Sequence, residues 1–317
     1  MSAVHVGAAT APPARGGARR RRRRSQALPA YAFLSPWLVG LVVFTAGPMV
    51  ASLVLSLTDY DLIGHADFVG LDNYKEAVSD PRVAKSLYNT VFYTVLHVPL
   101  ALALAMALAL LLLRAGRASG FFRTLVYLPV MTPPVAIGAM FLLILNGQSG
   151  LVNDVLAKVG IDGPAWTTDP VWIKPGLVLM SLWSVGSTAI IYLAALRDVP
   201  RELYEAAMLD GAGAWRRFRS VTLPMVSGTI YFTVIVNTIG SLQMFTEVYT
   251  MYFGAGAEQK SGDAALFYVI YLFQQAFQFL HMGYASALAW LLFVVIVLIT
   301  LVQVRVARSR VYYEGER

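Results

Sequence analysis

The most regularly spaced functional groups in this chain are Glu205, Ala206 and Ala207, then Asp210 and Gly211, then Val221, Leu223 and Pro224. One carboxylate beside two alanines is not acid–base machinery. It is a surface without bulk that carries a single negative charge, which suits the close approach of another protein. Pro200 suits the first turn of a helix, where its missing N–H costs nothing. Glu202 and Glu205 lie toward the positive end of that helix, and Arg201 and Glu205 are i,i+4 neighbours. Gly211 after Asp210 fits a left-handed helix stop. A second short helix is expected over Ala214–Val221, with Leu223-Pro224 opening the next apolar stretch. Residues 197–224 are therefore expected to form a helix, a tight turn and a second helix.

Catalytic patterns are missing from the rest of the chain. There is no phosphate-cradling G-x-x-x-x-G-K-[ST], no H-E-x-x-H and no G-x-S-x-G. The absence of cysteine removes thiolate metal sites and cysteine nucleophiles. His5, His65, His97 and His281 are scattered. His97 stands two residues before Pro99 in an apolar stretch. A hydrogen bond inside a helix bundle is the plain expectation for it, and a proton relay the sharper one. No acid lies inside any apolar stretch, and Glu247 falls just past one. No catalytic residue and no metal ligand is assigned, and the chain is not expected to be an enzyme.

Two apolar stretches carry polar faces. Met180, Trp183, Ser184 and Ser187 recur at helical spacing, as do Asn237, Gly240, Ser241 and Met244. Small and polar residues in membrane helices usually mark helix packing. The functional alternative is the lining of a path, with Trp183, Ser184, Ser187, Asn237, Ser241 and Met244 as candidate contacts. An uncharged, hydrogen-bonding lining suits a neutral sugar or polyol. An anion would want arginine at that depth, and none is there.

The elements that must position these groups are membrane spans. Of the 317 residues, 57% are hydrophobic and only 14% charged, against about 25% charged in soluble domains. A span needs about 20 mostly apolar residues. Six stretches qualify, at Tyr31–Leu57, Asn89–Leu113, Thr124–Leu145, Gly176–Leu196, Leu223–Phe245 and Ser286–Val306. Prolines in Thr132–Ala136 should bend the third. Ala264–Phe279 is short and carries Gln274, Gln275 and Gln278, which fits an external or re-entrant helix. Most arginines fall in the tails and in alternate loops, including Arg114, Arg117, Arg123, Arg197 and Arg216–Arg219. That bias places both termini in the cytoplasm. The first span is too long for a cleaved signal peptide. The arginine run in the disordered tail, residues 1–27, is expected to anchor topology beside anionic lipid rather than bind nucleic acid. The membrane domain is expected over 28–307, with a cytoplasmic tail over 308–317.

E-A-A, then glycine, then a β-branched residue two positions before L-P, resembles the cytoplasmic loop of bacterial ABC importer permeases. Here Val221 stands where isoleucine is commonest. Ser56–Gly64, Phe68–Asp80, Ser86–Val95 and Phe121–Gly138 are similar to carbohydrate-type members of that family, of the maltose- and glycerol-phosphate-permease kind. The resemblance implies an all-α polytopic membrane protein with six transmembrane helices and a type I ABC importer (MetI-like) permease core, in a bacterial cell membrane. It implies a heterodimer with a second permease, two ATPase subunits, and an extracytoplasmic solute-binding protein that delivers a sugar. It assigns Glu205, Ala206, Ala207, Asp210, Gly211, Val221, Leu223 and Pro224 to coupling with the ATPase. ATP and magnesium would be used by that partner, with no cofactor bound by this chain. The rival readings are an ABC permease for an amino acid or peptide, a stand-alone secondary carrier, and a membrane sensor or scaffold that moves nothing. A secondary carrier predicts internal repeats, and none is evident.

Overall fold

The computed structural model describes residues 31–62, 64–254 and 262–308. The arginine-rich tail expected over 1–27, His5 and the C-terminal tail beyond Arg308 lie outside the described residues. The chain divides into two units between Val54 and Leu55. In the first, α1 (Tyr31–Leu55) has a mean hydropathy of 2.3. A π-turn, Val42–Ala46, stands just before Pro48, where the missing proline N–H interrupts the regular ladder.

The second unit opens with an antiparallel ribbon, β1 (Thr58–Asp59) and β2 (Asp67–Phe68), in which Thr58 pairs with Phe68 and Asp59 with Asp67. The short α2 (Asp72–Ser79) follows. Its buried Asn73 donates to the carbonyls of Ser56 and Thr58 at 3.0 and 2.9 Å, holding the ribbon's start. Then come α3 (Pro81–Arg114), α4 (Gly116–Met131), α5 (Pro134–Ile144), α6 (Leu151–Lys158), α7 (Ile173–Leu182) and α8 (Gly186–Arg197). The chain continues through α9 (Arg201–Leu209), α10 (Ala214–Met225), α11 (Ser227–Leu242), α12 (Thr246–Tyr252), α13 (Tyr268–Phe273) and α14 (Met282–Arg308). Helices α1, α3 and α14 are long and apolar enough to cross a membrane unbroken. Three bent pairs, α4–α5, α7–α8 and α10–α11 with its continuation into α12, bring the crossings to six.

The bends depart from the sequence expectation. The third span is a break of 95° between α4 and α5, sharper than a proline kink in one helix. Pro133 is extended and Pro134 takes the first helical position of α5, so two prolines end one helix and start another. The fourth span, expected to be continuous, bends by 50° between α7 and α8. There the Ser181 hydroxyl bonds the Leu177 carbonyl and the Ser184 hydroxyl bonds the Ser181 carbonyl. Such back-bonding competes with the helix ladder. The fifth crossing bends by 69° between α10 and α11, so its second helix starts at Ser227 rather than Leu223.

Helix α3 packs along α7, α8, α11 and α13. Its 34 residues rise about 51 Å, beyond the roughly 30 Å of hydrocarbon. The expected span, Asn89–Leu113, covers only its apolar part. The extra turns start at Asp80, whose carboxylate accepts from the Arg82 N–H at 2.8 Å, with Pro81 in the first turn. Ala101, Ala105 and Ala109, four residues apart and buried, allow α3 to approach Ala189, Tyr192 and Leu193 of α8.

The segment expected as one external or re-entrant helix over Ala264–Phe279 is a turn, then α13, then a π-turn at Gln274–Gln278. It is too short to cross and is packed into the core. Asn89 of α3 donates to the carbonyls of Asp263 (2.8 Å) and Leu266 (3.0 Å), and Thr90 accepts from the Tyr268 N–H. Asp80 fastens the far end of this segment, accepting from the hydroxyls of Tyr271 and of Tyr284 in α14. Burial alone would raise the Asp80 carboxyl. Hydrogen bonds from Tyr271, the Arg82 N–H, Tyr284 and the Val83 N–H outweigh it and hold the group below its ordinary 3.8. Tyr271 is pushed up to about 12 by burial and by its bond to Asp80. The stabilisation is therefore complete above pH about 4 and fades as pH falls through the lowered folded-state value. Thermal melts from pH 7 down to about pH 3 should show wild type losing stability in acid. Asp80→Asn should start lower at neutral pH and change less over the same range.

Candidate functional site

Helix α9 starts one residue later than Pro200 was expected to allow. Pro200 is the N-cap, with extended ψ of 133°. The helix ends in a Schellman turn. The Ala212 N–H bonds the Ala207 carbonyl at 2.8 Å and the Gly211 N–H bonds the Met208 carbonyl at 3.0 Å. Gly211 has φ +73°, and nothing lies within 4 Å of where a Cβ would stand. Its backbone, not crowding, selects glycine. The second helix, α10, runs on past Val221 through a wide turn at Phe218–Thr222. Leu223 and Pro224, expected to open the fifth span, close α10 instead. Ser227 then donates to the Pro224 carbonyl at the corner.

This loop presents one face and is anchored by the other. Tyr204, Phe218, Val221 and Met225 pack against the apolar cluster shared by α3 and α8, and the Tyr204 hydroxyl bonds Thr222 at 3.0 Å. Glu205, Ala206, Asp210 and Gly211 are exposed, and Ala207 is half-buried. The expected Arg201–Glu205 pair is not made, and Glu205 has no ion pair among the described residues. Two large apolar side chains of the loop stand open to the outside, Leu209 at 90% and Trp215 at 72% exposure.

A cavity of about 480 Å³ opens among α3, α8, α11 and α12. Of the six residues expected to line a path, Ser187, Asn237, Ser241 and Met244 border it. Trp183 and Ser184 do not. Both lie in the break between α7 and α8, where Trp183 packs edge-on against Phe141 at 6.1 Å. The break rotates them away from Ser187, which one straight helix would have kept on the same face. The wall also includes Tyr93, His97, Ser181, Thr188, Thr233 and Glu247. His97 is hydrogen-bonded to Ser241 at 2.9 Å and stacked on Tyr93 at 5.2 Å, and Tyr93 donates to Ser181 at 2.7 Å. Tyr192 and Thr233 join α8 to α11 at 2.6 Å. The lining holds one carboxylate, Glu247, and no lysine or arginine. His97 was legible as a polar group inside a span, but its partner was not, because α3 and α11 meet only through the tertiary fold.

Residues 98–312 match the family described as the binding-protein-dependent transport system inner membrane component. The chain belongs to that family. It is a membrane permease subunit. Among its relatives is the probable ABC transporter permease protein YesP of Bacillus subtilis, 39% identical over 92% of this chain and 94% of that protein. Another is the lactose transport system permease protein LacF of Rhizobium radiobacter, 34% identical over 88% and 94%. The permease also shares its fold with a chain of a bacterial alginate ABC transporter, solved in complex with an alginate pentasaccharide-bound periplasmic protein. The TM-score there is 0.78, with 23% identity, covering 92% of this permease and 96% of that chain.

Proposed function

We propose that this permease forms, with a second permease, the path for a neutral sugar or polyol handed over by an extracytoplasmic solute-binding protein. Two ATPase subunits in the cytoplasm drive it, and they hold the ATP and magnesium. Both termini of the permease face the cytoplasm. The reading is carried by one juxtaposition. The exposed loop at Glu205 joins α8 to α11 through α10, and those same two helices bring Ser187, Thr188, Thr233, Asn237 and Ser241 to the cavity.

Glu205, Ala206, Ala207 and Asp210 dock the ATPase, and Gly211 sets the turn. Val221, Leu223 and Pro224 transmit the motion, since Val221 is packed on α3 and α8 while Pro224 marks the corner into α11. A rigid loop held at both ends turns a small movement of the ATPase into a discrete change in the spans. The sugar is favoured over an amino acid or peptide because the wall offers hydroxyl, amide and imidazole partners. The carbohydrate cargo named for LacF agrees with it. Glu247 and His97 share the cavity, as a proton-coupled carrier would want. His97, however, is held by Ser241 and not by the carboxylate.

Replacing Asn237 by Leu and Ser241 by Ala removes hydrogen-bond partners from the cavity wall. Each loss is worth about 1–3 kcal/mol where a polar group is left unpaired. Uptake of neutral oligosaccharides by cells carrying the double variant should fall by roughly tenfold or more, with the ATPase still bound. Unchanged sugar uptake, with loss of amino-acid or peptide uptake on deletion of the chain, would replace the cargo assignment.

A further inference from the structure

A second recess, of about 590 Å³, lies outside the cargo cavity, between the inner half of α3 and the loop. Its floor is one stripe of α3. Ala103, Met106, Ala107, Leu110, Leu113 and Arg114 all border it, and they recur at the spacing of a single helix face. Its other wall is the loop itself, through Tyr204, Trp215 and Arg217. The recess is therefore apolar along its length and carries two guanidinium groups. Arg114 is exposed and Arg217 half-buried, and neither makes an ion pair among the described residues. Two cations without an acidic partner, bordering an otherwise apolar recess, favour an anionic headgroup over a neutral one.

The dimensions fit an amphiphile. From Ala103 to Arg114 the helix rises about 16 Å, close to one leaflet, or half of a roughly 30 Å hydrocarbon core. Trp215 and Tyr204 stand beside the arginines, as interfacial aromatics do. The cytoplasmic leaflet carries the anionic lipids that draw basic side chains.

We propose that this recess binds one anionic phospholipid of the cytoplasmic leaflet, with its phosphate at Arg114 and Arg217 and an acyl chain along α3. The lipid forms part of the seat of α9 and α10, so the charge of the membrane sets how firmly the loop is held. The proposal rests on the cytoplasmic placement of the loop given above.

The test uses the full chain with its partner permease, in nanodiscs of phosphatidylcholine alone or mixed with phosphatidylglycerol. A photoreactive phosphatidylglycerol should label the segment containing Ala103 to Arg114. Unlabelled phosphatidylglycerol should compete and phosphatidylcholine should not. Arg114→Gln with Arg217→Gln should reduce that labelling roughly 30-fold. Ala107→Trp, which fills the exposed floor and leaves both arginines in place, should block it as well. Equal labelling by a phosphatidylcholine probe, or labelling untouched by either variant, would overturn the site. So would crosslinking of this segment to an acidic stretch of a partner protein.

Labelling needs neither nucleotide nor cargo, so it does not depend on transport. The orientation is read separately. The chain has no cysteine, so Ser220→Cys gives a single exposed thiol on α10. Its modification by an impermeant maleimide outside intact cells would sink the orientation, and with it the assignment to the cytoplasmic leaflet. Lipid labelling that fails while the thiol stays protected would sink the lipid site alone.

Discussion

Glu205→Lys should reduce ATP-driven uptake to background while the chain inserts at wild-type levels. The side chain is exposed and makes no ion pair within the described residues, so its replacement disturbs nothing in the permease. Its effect falls on the partner. In the proposed assembly, the Glu205 carboxylate would be covered on docking and would meet a basic group of the ATPase. Reversing its charge leaves two like charges in a desolvated contact. Breaking one member of such a pair costs about 3–5 kcal/mol, more than roughly 100-fold in occupancy. Uptake into cells, scaled to the amount of inserted permease, checks this. Glu202→Lys, one turn away on the same helix, serves as the comparison and should lose much less. Equal and mild losses in both would remove Glu205 from any special role.

Gly186→Ala should be among the most damaging single-methyl changes in the second unit, beside Gly283→Ala, whose Cβ would meet the Thr58 carbonyl just as closely. Gly186 begins α8, immediately after the break in the fourth span. A Cβ there would run into the carbonyl of Val126 in α4 and come within 3.3 Å of the Tyr127 Cα. Both obstacles are backbone, so no side chain can swing aside. Overpacking of this kind costs about 1–3 kcal/mol and occasionally more. Gly240→Ala is the matched control, since nothing lies within 4 Å of its Cβ position. Thermal unfolding of both variants in the same detergent should show Gly186→Ala melting several degrees lower and Gly240→Ala near wild type. Equal melting temperatures would mean that α4 and α8 do not approach as described. The contact also matters for transport, because Ser187 and Thr188 follow directly and border the cavity.

The number of crossings and the helix–turn–helix of the loop were legible in the sequence, because each rests on local chemistry. Hydropathy finds the apolar stretches, and the Pro200 to Gly211 interval delimits α9 through backbone rules that need no tertiary contact. The breaks were less legible. Pro133 and Pro134 announced a bend, but 95° rather than a kink depends on how α4 and α5 then pack. The break after Leu182 has no proline. It comes from serine hydroxyls bonding carbonyls and from Gly186 against Val126, which only neighbouring helices reveal. Hydropathy also cut α3 short, since the turn from Pro81 to Ser86 is polar and stabilised by the Asp80 cap. The candidate cavity was half legible. Ser187, Asn237, Ser241 and Met244 shared predicted faces, whereas Trp183 and Ser184 were separated from them by the break. His97 and Tyr93 enter from α3, a partnership that spacing within one helix cannot display.

We propose that an ATPase takes hold of this permease at the exposed loop around Glu205. The most direct measurement is a mild-detergent pull-down of the tagged wild-type chain beside Glu205→Lys, with partners identified by mass spectrometry. Wild type should bring down a second permease and an ATPase, and the variant should keep the permease and lose the ATPase. A wild-type chain that purifies alone or as a homo-oligomer, with no ATPase under nucleotide-free or ATP-trapped conditions, would contradict it.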